Sequence, residues 1–270
     1  MRNRFLDSSI VVLAAVLALA SVSFSQNRQQ TGAQKTPPPS NKPVDPRDLN
    51  GYWELTKIAR PPGAPNTISN NRPPMTDWAK AIFSKTKTGY KELSTGIFPQ
   101  RDWNDPALWC DPLGFPRILW TPMASGMRLA QTRDEVIQFF ENGRVWRDLW
   151  TDGRKLPTGT DVDPRWFGYA VGKWEGDTFV VTSNNYIEKS WIDQYGSPHS
   201  DQLMVEERYR RADHDHLELV VNATDPKAYT ATWKGNKRIF TLVDKPVRSD
   251  FNDYPENLCV WSEHKIQPKS

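Results

Sequence analysis

Pro198-His-Ser-Asp201 puts an imidazole, a hydroxyl and a carboxylate within four residues. An imidazole can take a proton from a hydroxyl, and a carboxylate can orient the ring. Those are the parts of acid–base or acyl-transfer chemistry. In a working triad, however, nucleophile, base and orienter normally come from separate elements, and Ser200 and Asp201 also suit turn hydrogen bonds. An enzyme built on this segment, hydrolase- or isomerase-like, would use His199 with Asp201 or Glu207.

His214-Asp-His216 could present two imidazoles to a metal from an extended chain, but it falls where a hairpin turn is expected and no third ligand has a recognisable spacing. No metal is therefore assigned. No phosphate loop, dinucleotide fingerprint, Gly-x-Ser-x-Gly elbow or His-Glu-x-x-His helix occurs, so no cofactor is implied.

A different kind of chemistry is suggested by Leu203, Val205, Glu207 and Tyr209. In a strand these alternate residues share one face, so Glu207 is a carboxylate on an apolar side while Glu206, Arg208 and Arg210 take the other. An inward carboxylate needs a partner, because an unpaired buried charge is very costly. Arg147, between Val145 and Leu149, is placed in the same way. A Glu207–Arg147 pair would be either a structural polar network or the polar floor of a pocket. The chain also has 12 tryptophans. Most should pack core and rim, while Trp146 and Trp150 on one strand face, or Trp166 in Asp163-Pro-Arg-Trp166, could stack on a flat ligand or sugar.

These side chains must be positioned by short alternating strands. Phe167–Trp174 and Thr178–Ser183 flank Glu175-Gly-Asp177, a strong hairpin signal. Further runs are expected as strands at 127–132, 135–141, 145–150, 203–210, 217–223, 229–233 and 238–243, with a first one around Tyr52. About ten strands can close into an antiparallel up-and-down barrel of 8–10 members, lipocalin-like and free of exposed edges; an open sandwich is the rival. One short helix is expected at 76–85, capped by Thr76, with Trp78, Ile82 and Phe83 or Ala79 on a shared face. Before it runs a long N-terminal loop region with Arg60-Pro-Pro-Gly-Ala-Pro65 and Arg72-Pro-Pro74, whose prolines forbid ladder pairing. The irregular apolar segment 104–123 would lie across one barrel end as a plug or lid.

Arg2 and Arg4, an apolar run from Ile10 to Ala20 and small residues at 18–25 read as a signal peptide over 1–25. The run is too short to span a bilayer, so no membrane insertion of the mature chain is expected. Residues 26–48, rich in Gln and Pro, read as a disordered linker, leaving 49–270 for a single barrel domain. Removing Arg2, Arg4 and Asp7 takes Lys+Arg from 35 to 33 and Asp+Glu from 32 to 31, a near-balanced and interleaved charge that argues against nucleic acid. Cys110 and Cys259 are the two cysteines; in an oxidising, periplasmic or secreted location they are expected to pair.

Cys110-Asp-Pro-Leu-Gly-Phe-Pro-Arg117, Val145-Trp-Arg147 with Thr151-Asp-Gly-Arg154, Asp163–Thr178, Pro198-His-Ser-Asp201 and Glu207–Arg211 resemble a widespread family of uncharacterised exported bacterial proteins. That resemblance spans most of the mature domain and brings no established activity with it. Asn50-Gly-Tyr-Trp53 loosely resembles the Gly-x-Trp opening of lipocalin-like barrels, in support of the barrel by analogy. The expected role is binding of a small, partly apolar molecule in the barrel, with Arg117, Arg147, Trp166, His199, Asp201 and Glu207 as candidate ligand-binding residues. The rivals are the enzyme above and a carbohydrate- or protein-interaction module using exposed tryptophans.

Overall fold

Alternation at period 2 builds most of the molecule. In the computed structural model nine strands follow one another around a closed barrel: β1 (Gly51–Leu55), β2 (Gly126–Gln131), β3 (Glu135–Phe140), β4 (Val145–Trp150), β5 (Tyr169–Glu175), β6 (Thr178–Asn184), β7 (Met204–Arg211), β8 (His216–Thr224) and β9 (Arg238–Val243). The structure describes residues 40–55, 67–89, 102–120, 126–159, 161–244 and 258–259. The expected signal peptide, the first part of the linker and the 60–65 proline segment lie outside the described residues. Residues near the end of that linker already bond to the barrel: Arg47 Nε donates to the Gly176 carbonyl, and Gln131 donates to that of Arg47.

The barrel is mixed, which corrects the expectation of a purely antiparallel meander. Each antiparallel neighbour reverses direction, so a closed ring of nine cannot alternate throughout. Eight contacts are antiparallel and one, β4 with β5, is parallel. A parallel contact needs a long return, and residues 151–168 supply it. This seam is short. Only Leu149↔Ala170 and Trp150↔Val171 are paired, while β3 and β4 pair along their full length. The wall of the barrel is thus least closed beside the N-terminal half of β4.

The expected strand at 229–233 forms isolated bridges instead, Met75↔Tyr229 and Ala223↔Trp233. Its two aromatic ends pack in the core, but the segment between them is committed to the helix-bearing loop, where Thr230 donates to the Pro74 carbonyl. The helix α1 (Asp77–Phe83) is capped by Thr76, whose Oγ accepts from the Ala79 N–H. Its buried face is Ala79 and Phe83; Ile82 is exposed, so the shared face is narrower than its apolar pattern suggests.

The described part of 104–123, the plug segment, is irregular apart from two short 3₁₀ turns, at Pro106–Trp109 and Arg117–Trp120. Phe115, Ile118, Leu119 and Trp120 are buried in the core shared with strand residues such as Trp53, Leu149, Phe179 and Tyr209. Cys110 at its start is disulfide-bonded to Cys259 (S–S 2.04 Å), which ties the plug to the C-terminal segment. Among the described residues no helix is long and apolar enough to cross a membrane.

Candidate functional site

Two polar clusters and one open cleft emerge from this frame. The first cluster crosses the barrel interior. Arg147 projects inward from β4 and Glu207 from β7, as their apolar-face positions dictate, and Arg147 Nη2 donates to Glu207 Oε1 at 2.9 Å. The Tyr209 hydroxyl donates to Glu207 Oε2 at 2.6 Å and receives a bond from the Gln138 amide at 2.9 Å. The Arg147 guanidinium lies 3.7 Å from the centre of the Phe115 ring, so the plug supplies a face for the cation. Burial works against the Arg147 charge, but Glu207, Tyr186 and Tyr209 together outweigh it and hold its pKa above the ordinary arginine value. Burial raises the Tyr209 phenol far above its usual value, and Glu207 adds to the rise, so it remains a donor. Nε and Nη1 of Arg147 and Oε1 of Gln138 have no hydrogen-bond partner among the described residues.

The second cluster surrounds His199. This residue is buried, and its ring bonds go to Ser190 Oγ from Nε2 (3.0 Å) and to the Ser200 carbonyl from Nδ1 (3.1 Å). A carbonyl only accepts, so Nδ1 carries the proton and Nε2 is left as an acceptor for the Ser190 hydroxyl, whose one proton is also within reach of the Ile187 carbonyl at 3.2 Å. Burial lowers the His199 pKa, with the Ser200 carbonyl, Asp225 and Glu188 opposing, so the imidazole is neutral near pH 7. Asp225 in turn accepts from both the backbone N–H and the hydroxyl of Ser200. A serine and a neutral imidazole in this geometry resemble a nucleophile and its base. Gly114 covers them: a β-carbon there would lie 2.8 Å from that of Ser190, and Ser190 is buried.

Neither Asp201 nor Glu207 joins His199. The Asp201 carboxylate is exposed, 3.7 Å from Lys227 Nζ, and Glu207 belongs to the interior network. Arg117 is also committed elsewhere. Its two terminal nitrogens make a forked pair with Asp105, Nη1 donating to Oδ1 at 2.7 Å, and its guanidinium lies 5.3 Å from the Trp191 ring. His214 pairs with Asp215 and His216 with Asp213, each through Nδ1.

The cleft, of about 610 Å³, opens at the β4–β5 seam under the 151–168 return. Trp146, Trp150, Trp166, Phe167 and Tyr169 give it aromatic walls, and Arg147, Arg154, Lys155 and Arg165 stand among its lining against one carboxylate, Asp148. Trp146 is 59% exposed, a large apolar surface left to solvent. Two guanidinium groups sit over aromatic rings: Arg154 over Trp150, 3.5 Å from the ring centre, and Arg165 over Tyr169, 4.0 Å from it. Of the candidate ligand-binding residues, the cleft brings together Arg147 and Trp166; Arg117, His199, Asp201 and Glu207 are not in its lining.

Arg154, Lys155, Arg165 and Tyr169 are site residues that alternation alone does not single out, since it marks outward polar residues only as solvent-facing. Ser190 is likewise missed, because its approach to His199 depends on how two loops pack. The motif segments Thr151–Arg154 and Asp163–Thr178 were the available signal, since they carry Arg154, Arg165, Trp166 and Tyr169.

Fold and site together define a closed, mixed nine-stranded β-barrel with a polar core and a lateral aromatic cleft. No family model matches the chain, and neither a curated protein nor a solved structure does.

Proposed function

We propose that this chain is an exported small-molecule-binding barrel whose ligand, a partly apolar molecule, lies in the cleft at the β4–β5 seam. The observation that carries the reading is the cleft of about 610 Å³ with exposed Trp146 on its wall, within the roughly 300–1,000 Å³ usual for ligand sites. The leader-like N-terminus and the Cys110–Cys259 disulfide support export. Phe115, Arg147, Glu207, Tyr209 and Gln138 occupy the interior around the ion pair, which favours a ligand beside the barrel wall over one in the lumen. The test is a titration with neutral N-phenylnaphthylamine, followed by its fluorescence. Saturable binding that weakens in Trp146→Ala supports the reading, and binding unaffected by that change contradicts it.

A second reading, acyl-transfer chemistry, is favoured by the Ser190–His199 hydrogen bond alone. It replaces Asp201 and Glu207 with Ser190 as the partner of His199. Ser190 would have to be uncovered by movement of the Gly114 segment before a substrate could reach it. Labelling of Ser190 by a fluorophosphonate, lost in His199→Ala, is its signature; an unlabelled serine removes it.

A further inference from the structure

We propose that the guest of this cleft is a flat-ringed anion, whose charge is recognised by Lys155 and Arg165. The inference rests on the cleft being the binding site and specifies what enters it.

Of the four basic residues in the lining, two are already neutralised. Arg147 is paired with Glu207, and Arg154 grips Asp152 with Nε at 2.9 Å and Nη2 at 2.6 Å. Lys155 and Arg165 are exposed and make no ion pair with a described residue. Arg165 is nevertheless held in place. Its backbone N–H donates to the Asn185 carbonyl at 2.9 Å, its own carbonyl accepts from Ile187 at 3.1 Å, and its guanidinium covers the Tyr169 ring.

A guanidinium seated over an aromatic ring face still carries its fork of N–H donors, to which a carboxylate or sulfonate can offer two acceptor oxygens. On Trp150, Arg154 has the same posture with its edge filled by Asp152, a carboxylate from the protein itself. Arg165 sits over Tyr169 in a comparable way, with no carboxylate partner among the described residues. The aromatic walls then supply stacking for the ring of the guest, and Asp148, the one carboxylate in the lining, disfavours the guest's charge near β4. Charge and shape thus select an anionic group on a planar body.

Anilinonaphthalenesulfonate and N-phenylnaphthylamine share a ring system and differ in the sulfonate, so their affinities separate the two halves of the account. With the full mature chain at low salt, the sulfonate is expected to bind about tenfold more tightly than the neutral ring, an advantage that shrinks as salt is raised. The double variant Lys155→Gln, Arg165→Gln should bring the two probes to parity, the sulfonate losing about tenfold more affinity than the neutral ring does. Asp148→Asn should widen the preference. All these positions are at or near the surface, so the variants keep the fold. Equal affinities in the wild type, or a sulfonate preference that survives the double variant, overturn the anion inference while leaving the cleft intact as a binding site. Absence of binding by both probes, or binding indifferent to Trp146→Ala, overturns the cleft itself.

Discussion

Arg147 and Glu207 meet inside the barrel at 2.9 Å although their strands, β4 and β7, are not neighbours. The bond therefore braces the barrel across its interior. Both side chains are almost wholly removed from water, with 3% and 0% of their surface exposed. Removing one partner strands the other charge. Glu207→Leu should cost about 3–5 kcal/mol in denaturant unfolding, and adding Arg147→Met should recover much of that loss. Additive effects of the two changes would show that the pair does not hold the fold.

The inward face of β5 is as tightly fitted as that of β7. A β-carbon at Gly172 would lie 2.3 Å from the Phe179 ring, which is fully buried and packed against Trp174 and Tyr209. Gly172→Ala is expected to destabilise by about 1–3 kcal/mol, and Gly172→Leu by more. Thermal melts check this, and an unchanged midpoint in both variants would show that the ring yields freely.

These two positions show what could be read in the sequence. Period-2 alternation places Glu207 and Arg147 on apolar faces, and an interior pair follows because each charge needs a partner. It also puts Gly168, Ala170 and Gly172 on one close-packed face, and in the structure a side chain at Gly168 would strike the Asn184 carbonyl and Tyr186. Alternation carries no information on strand direction, so the parallel β4–β5 seam was invisible, and with it the cleft that the seam leaves open. Tyr229–Trp233 misled for a related reason: buried aromatics at alternate positions satisfy bridges as well as ladders. The approach of Ser190 to His199 depends on loop packing that no local pattern encodes.

The Cys110–Cys259 bond closes 149 residues of sequence separation. Chain entropy assigns a loop of that length about 5 kcal/mol. Reduction, or Cys110→Ser with Cys259→Ser, should lower the unfolding free energy by up to that amount, with the largest loss of protease resistance in the plug. Identical denaturation curves with and without reductant would show that the bond adds nothing to the fold.

His199 should make stability depend on pH. Burial lowers its pKa in the folded protein, so the unfolded chain binds the proton more readily. Its contribution is full above the ordinary imidazole value of about 6.5 and is lost progressively as pH falls below it. Asp193, whose buried carboxyl is pushed up, acts with the opposite sign, favouring the fold in acid and losing that contribution as pH rises. The difference between wild type and His199→Gln therefore isolates the imidazole. The expected result is a steeper loss of stability below pH 6.5 in the wild type; parallel curves would mean that His199 is protonated as easily folded as unfolded.

The central claim is that a ligand enters the lateral cleft and not the lumen, and tryptophan indole resonances report this directly. Trp146, Trp150 and Trp166 line the cleft, whereas Trp53 and Trp233 are buried in the core. In a titration of indole-labelled protein with N-phenylnaphthylamine, the account predicts saturable shifts at Trp146, Trp150 and Trp166 with Trp53 and Trp233 unmoved. Shifts led by Trp53 and Trp233, or none at the cleft tryptophans, would contradict it.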